Sequence, residues 1–502
     1  MLAKVKCFAL SGLDGVAVEV ETDVNNGLPA YELVGLPDAA VKESKERVRS
    51  ALKNSGKSFP THKITVNLAP ADLRKEGSHF DLAIAVCLLK ATGQLCIGDE
   101  NVVFLGELAL GGQVRSINGI LPILISAREK GYTTFFIPKA NANEASYLSG
   151  ITVYPVSSLS ELVDHIMGDR PIEPVALRTF EGAKGSDPSD LTYVKGQKAA
   201  KRAIEIAVSG GHNILLVGPP GTGKTMLARC IPGILPDLTF DEALEVTKIH
   251  SVAGILSEEG IVSRRPFRSP HHTATTVSLC GGGNAKIHPG EVSLAHNGVL
   301  FLDELPEYNR ASLEALRQPL EDGVITIARS AGAVSYPASF ILCASMNPCP
   351  CGNYGSDRPC KCTPFDIRRY RAKISGPLLD RIDLQVEVDS VRYDDLAGEA
   401  AEERSSAVKE RVERARAVQR KRFSGKIHTN SEMGERELKG YCKLSPACES
   451  VLRIAFERLQ LSARGRSRII KVARTIADMA GSEEILVEHI YEAVSYRTFQ
   501  EV

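Results

Sequence analysis

The sequence predicts an α/β protein of several domains organised round a P-loop nucleotide-binding unit, and three observations predict it. Gly218-Pro219-Pro220-Gly221-Thr222-Gly223-Lys224-Thr225 matches the phosphate-loop pattern and sits between an expected strand and an expected helix. Some eighty positions on, the apolar run 298–302 ends in Asp303-Glu304, the form of a buried strand delivering two acids to a cleft. The chain of 502 residues is also too long for one core and suggests about three domains, at roughly one per 100–200 residues.

The domains can be taken in order. In the first, apolar and polar residues alternate over 16–22, pause at Asn25-Asn26-Gly27 and resume over 30–33, which predicts strands paired around a turn. Pro37-Asp38 opens a helix with an apolar stripe at Val41, Val48 and Leu52, ended by Gly56. A strand at 63–68, a helix at 81–90 and a strand at 102–105 complete an α+β domain over 1–165. Apolar periodicity lapses over 166–190, the composition of a linker. The nucleotide-binding unit, 191–395, starts with a helix at 197–209, a strand at 213–217 and the glycine loop, a βα phosphate-binding order. Helical patterns at 408–422, 449–459, 468–480 and 487–497 predict a separate helical lid over 396–502.

Composition narrows the function classes. Sixty-one acidic and sixty-one basic residues cancel, so any nucleic-acid contact must use a local basic patch. The start lacks a signal-peptide pattern, and the longest apolar runs, 80–89 and 120–127, fall short of the ~20 residues that cross a bilayer, so a cytoplasmic protein without a membrane partner is expected. Twelve cysteines in a reducing compartment are expected as thiols or metal ligands.

Chemistry concentrates at the motifs. The loop glycines let successive backbone N–H groups face phosphates at a helix N-terminus, Lys224 reaches the β and γ phosphates of ATP, and Thr225 reaches Mg²⁺. Asp303 is expected on the hydrated metal and Glu304 as the base that polarises the attacking water. Alternating segments at 323–329 and 333–340 about Ser330-Ala331-Gly332 predict a hairpin before a core strand at 340–345. Asn347, just beyond that strand, is placed to orient water, or else caps the next turn. Arg381 is a candidate finger for a neighbouring subunit's phosphate, with an ion pair to Asp383 as its rival. Cys349, Cys351, Cys360 and Cys362 group four thiols in C-x-C pairs that suit a structural Zn²⁺, or stand as free or redox-active thiols. The basic, aromatic segment 264–272, followed by Gly281-Gly282-Gly283-Asn284 and Lys286, suits a flexible loop gripping a phosphate backbone, or a solvated loop.

These motifs, with Phe267-Arg268-Ser269-Pro270-His271-His272, Pro289-Gly290-Glu291 and Asn347-Pro348-Cys349-Pro350-Cys351-Gly352, resemble the magnesium-chelatase-like AAA+ family of bacterial YifB/ComM proteins over nearly the whole chain. The resemblance implies an N-terminal domain of Lon-protease (ribosomal S5 domain 2) type, a central AAA+ module, a C-terminal helical domain and a homo-hexameric ring. It implies a DNA helicase promoting branch migration on single-stranded or branched DNA during natural transformation; the alternative is an ATP-driven remodelling factor for a protein partner, as in magnesium chelatase. It also places a second nucleotide-sensing arginine at Arg464, with Arg468 next. The protease pattern is departed from: Ser78 is one place out of register and no lysine lies in Gly119-Ile120-Leu121-Pro122-Ile123, so a non-proteolytic scaffold is expected.

Overall fold

The computed structural model describes residues 1–98, 101–183, 189–283, 287–329, 332–389, 402–423 and 427–497. Asn284, Lys286, the Ser330-Ala331 turn and the junction expected at 395/396 lie outside them.

The N-terminal domain is a seven-stranded sheet. Its strands are β1 (Leu2–Ser11), β2 (Asp14–Asn25), β3 (Ala30–Val34), β4 (Lys63–Ala69), β5 (Val102–Phe104), β6 (Thr134–Pro138) and β7 (Thr152–Val156), ordered β3-β4-β2-β1-β5-β6-β7. The alternation in β2 marks a strand with one face in the core. The strands on either side of Asn25-Asn26-Gly27 do not pair with each other, however. β4 inserts between them, antiparallel to β2 and parallel to β3, and the hairpin partner of β2 is β1. Alternation identifies a strand's faces but not its neighbour, and this is why the pairing expected around that turn is wrong. The predicted helix after Pro37 is broken at Glu43 into Ala39–Lys42 and α1 (Ser44–Asn54). Helix α2 (Asp81–Ala91) is apolar on all sides because it is enclosed: only Lys90 among its residues is not buried.

The nucleotide-binding unit holds a five-stranded sheet, parallel throughout. Helix α3 (Ile120–Glu129) of the first domain packs on β1 and β2 and meets the helix Phe240–Ala253 of this unit. The unit runs α4 (Lys198–Gly210), β8 (Ile214–Val217), α5 (Lys224–Ile234), α6 (Phe240–Ala253), β9 (Phe267–Arg268), β10 (Val299–Leu302), the antiparallel hairpin β11 (Val324–Arg329) and β12 (Gly332–Pro337), β13 (Ile341–Met346), α7 (Pro364–Arg371) and β14 (Leu384–Glu387), with sheet order β9-β10-β13-β8-β14. Strands β8, β10 and β13 are buried along their whole length, the pattern of a parallel sheet covered on both faces.

The two domains are joined by specific contacts as well as by chain. Gly119 N–H at the head of α3 donates to the Ser251 carbonyl of α6 at 3.0 Å, and Ser251 Oγ donates to the buried Glu144 at 2.6 Å.

Helices α8 (Ser405–Arg422), α9 (Pro446–Arg458), α10 (Ala463–Met479) and α11 (Val487–Ser495) follow. They are not a detached lid: Val408, Val412, Ile469 and Ile476 share one continuous buried core with Ile204, Ile231 and the inner side of the sheet. The lid is thereby part of the wall behind the phosphate loop.

Candidate active site

Parallel strands present their C-terminal ends along one edge, and three of them deliver the motif residues there. β13 lies between β8 and β10, with Val217 level with Met346 and Leu302 level with Ala344. The phosphate loop, Asn347 and the acidic pair therefore leave the sheet side by side. The interior of each strand is apolar, so their charges appear only where the chain breaks into the cleft.

Gly221 (φ 81°) and Gly223 (φ 87°) take the left-handed backbone that curls the loop ahead of α5. Lys224 is folded inward: its Nζ donates to the carbonyls of Gly218 (2.7 Å) and Pro219 (2.8 Å) and stands 3.5 Å from Asn347 Oδ1. Burial lowers its pKa, opposed by the nearby Asp303 and Glu304 carboxylates. Thr225 Oγ1 donates to Asp303 Oδ2 at 2.9 Å, and Ser345 Oγ donates to the other oxygen of the same carboxylate. A hydroxyl and a carboxylate this close are the hard oxygen donors that Mg²⁺ takes, so the residues fit the metal. Ser345 has no motif signal; only the register of β13 against β10 places it there.

Glu304 sits at φ 53°, outside the usual range for a side-chain-bearing residue, and its N–H bonds Asp303 Oδ1 at 3.0 Å. The turn leaves its carboxylate half exposed, 3.2 Å from His272 Nδ1. A cleft of about 370 Å³ opens beside it, lined by Glu307, Asn347, Pro350, Arg369 and Lys373 among others.

The three arginines take different partners within the chain. Arg381 is buried, donates to the Pro377 carbonyl at 2.8 Å and pairs with Glu321, not with Asp383. Arg464, exposed in the first turn of α10, approaches the other oxygen of Glu321 at 3.3 Å. Arg468 instead bonds Asp383 at 2.6 Å; burial would raise that carboxyl, but the Arg468 charge and His212 hold it below the ordinary carboxylate range.

The basic segment is less available than its composition suggests. Phe267 and Arg268 form the edge strand β9, Arg268 makes a two-point pair with Glu291 (2.6 and 2.8 Å), and Arg265 binds the Asn297 carbonyl and Glu242. Each guanidinium already has internal acceptors, and Arg268 is in addition held in the pairing of β9 with β10. In the first domain Ser78 Oγ donates to Glu107, and the buried Lys75 amine, its pKa lowered by burial, donates to the Pro70 carbonyl.

Four cysteine sulfurs gather beyond Asn347, all within 4.8 Å of one another. N–H groups of Asn353 and Lys361 draw the Cys351 thiol down to about 6.

Comparison with known proteins identifies the family. The family models "Magnesium chelatase, subunit ChlI", "Subunit ChlI of Mg-chelatase" and "Magnesium chelatase, subunit ChlI C-terminal" match residues 190–396, 20–141 and 402–497. Competence protein ComM of Haemophilus influenzae is 43% identical over 99% of this chain and 97% of its own length. YifB of Escherichia coli is 42% identical over 99% of this chain and 97% of its own. A shorter likeness, 26% identity over 39% of this chain and 19% of the relative, links it to the DNA replication licensing factor mcm6 of Dictyostelium discoideum. The chain, an AAA+ ATPase by its central unit, belongs to the YifB/ComM family of magnesium-chelatase-like proteins.

Proposed function

We propose that this protein is a ring motor, a homo-hexamer that hydrolyses ATP and moves DNA, promoting branch migration during DNA uptake and recombination. The observation that supports it best is the meeting of Thr225, Asp303 and Ser345, with Asn347 and Lys224 3.5 Å apart beside them. The loop amides and Lys224 hold the triphosphate. Thr225 and Asp303 would hold Mg²⁺, which supplies neutralisation of charge on the transferring phosphoryl group. Glu304 takes the proton of the attacking water, and Asn347, next to the Lys224 amine, orients that water.

Arg381 and Arg464 belong to the subunit boundary in this reading. Both face Glu321, whose carboxylate occupies the place of an anion; the arginines exchange it for a neighbour's phosphate when the ring closes. DNA as the cargo is supported by the ComM and mcm6 likenesses. The internal pairing of Arg265 and Arg268 favours the second reading, an ATP-driven factor that remodels a protein partner.

One experiment separates the two: ATPase rate with single-stranded, duplex and four-way DNA across a salt series. A DNA motor gains turnover with DNA and loses that gain as salt rises, since phosphate contacts release counterions. A rate indifferent to every DNA, with no branch migration, excludes the DNA reading.

A further inference from the structure

The loop after Asn347 folds into a four-cysteine knuckle and is pressed against the phosphate loop. Cys349 is buried; its Sγ lies 3.4 Å from that of Cys351 and 3.7 Å from that of Cys360, and Cys351 and Cys360 are 3.6 Å apart. Tetrahedral zinc with bonds of about 2.3 Å sets its sulfurs about 3.8 Å apart. A disulfide needs about 2.05 Å. The sulfurs therefore stand at the spacing of ligands to one shared ion. The backbone is shaped for the same charge: Gly352 (φ 80°) and Gly355 (φ 76°) turn the chain between the thiol pairs, and the Tyr354 N–H points at Cys349 Sγ at 3.4 Å. Amide N–H groups aimed at sulfur stabilise thiolates and orient them as ligands.

The second observation concerns where this loop lies. A Cβ on Gly352 would fall 2.6 Å from Cδ and 2.9 Å from Cγ of Pro220, inside the phosphate loop, and 3.9 Å from Cγ of Asn347. Glycine is required there because two loops touch. On the far side the Arg371 guanidinium donates to the Pro348 carbonyl at 3.3 Å, tying the knuckle's entry to α7. The phosphate loop, Asn347 and the knuckle thus meet at one residue.

We propose that Cys349, Cys351, Cys360 and Cys362 bind one zinc ion, and that the loop it closes braces Pro220 and holds Asn347 in register with the phosphate cradle. Each thiol gives its proton to solvent as its sulfur bonds the ion. Four sulfur ligands close the coordination sphere, so the ion does no chemistry itself; it makes Asn347 and the P-loop one rigid unit. The bracing half rests on the ATP-site reading above, whereas zinc content does not.

The test uses the full-length chain. Elemental analysis of wild type is expected to give one zinc per chain, and Cys351→Ser/Cys360→Ser to lose it while keeping its helical content. With bracing lost, kcat for ATP falls about 10- to 100-fold, the scale of a misplaced catalytic group, while nucleotide affinity falls less. Gly352→Ala keeps all four thiols, so its zinc content stays at one per chain while kcat falls through Pro220. Adding Asn347→Ala to Cys351→Ser/Cys360→Ser costs less than the two effects combined, because losing the ion already loosens that side chain. Absence of zinc from wild type, or iron in its place, overturns the metal assignment. Unchanged kcat in a zinc-free variant, or in Gly352→Ala, overturns the bracing. A wild type that holds zinc but neither binds nor hydrolyses ATP overturns the ATP-site reading, and the bracing with it, while the metal site stands.

Discussion

His272 Nδ1 lies 3.2 Å from Glu304 Oε2, so the carboxylate assigned to water activation already has a partner. His272 follows the edge strand β9, whose companion β10 ends at Leu302, two residues before Glu304, and residues 264–272 are the segment composition nominates for nucleic acid. A ligand drawing that segment away releases the carboxylate. His272→Ala is therefore expected to raise basal ATPase and shrink any stimulation by DNA. A partly exposed pair is worth at most about 1 kcal/mol, about fivefold in rate. Steady-state assays with and without DNA measure it, and a variant whose stimulation factor matches wild type removes His272 from this role.

Glu304→Gln keeps the shape of the site and loses the base. ATP and Mg²⁺ binding should persist while hydrolysis slows about 100-fold or more. Lys224→Ala should weaken nucleotide binding itself, because the amine next to the loop carbonyls is the nearest cation for the phosphates. Calorimetry and single-turnover rates distinguish the two variants; equal loss of affinity in both would contradict the division of roles.

Arg381 and Arg464 share Glu321 within one chain, although the proposed motor uses them on a neighbour. Arg381→Ala and Lys224→Ala should each abolish turnover alone. Mixed in one ring, they should recover part of it, since some interfaces pair an intact P-loop with an intact arginine. No recovery in subunits shown to co-assemble assigns Arg381 to its own chain.

Glu144 makes the contact between the first domain and α6 sensitive to pH. Burial raises its carboxyl above the ordinary glutamate range, against hydrogen bonds from Ser251 and Asn141. The folded chain keeps this proton where the unfolded chain has released it. The contribution is thus fully present below the ordinary glutamate pKa and is lost as pH rises through the raised one. Glu144→Gln, which can still accept from Asn141 and can donate to Ser251, should flatten that part of the pH–stability curve. Thermal unfolding of both proteins across the acid range checks it, and parallel curves would discount Glu144.

The legible part of this molecule is what depends on neighbours in sequence. The P-loop needs glycines, a lysine and a hydroxyl at fixed spacing, so Gly218 to Thr225 announces its own geometry, and the apolar run into Asp303-Glu304 announces a strand end. The four cysteines likewise reveal themselves by proximity, and their sulfurs do converge. What chain order hides is which strands lie side by side. Ser345 becomes a partner of Asp303 only through the register of β13 on β10, β4 enters between β2 and β3 despite the turn joining them, and Arg381 chooses Glu321 over the nearer Asp383.

By itself the sequence determined that the chain carries a phosphate loop, an acidic strand end and a thiol cluster, because each is a local pattern whose backbone requirements are met by adjacent residues. Only the tertiary structure decided that Gly352 rests on Pro220, that His272 reaches Glu304 and that the C-terminal helices share the core of the nucleotide-binding unit. Those contacts arise from burying apolar faces of distant segments against one another, a long-range free energy that no short stretch of sequence specifies.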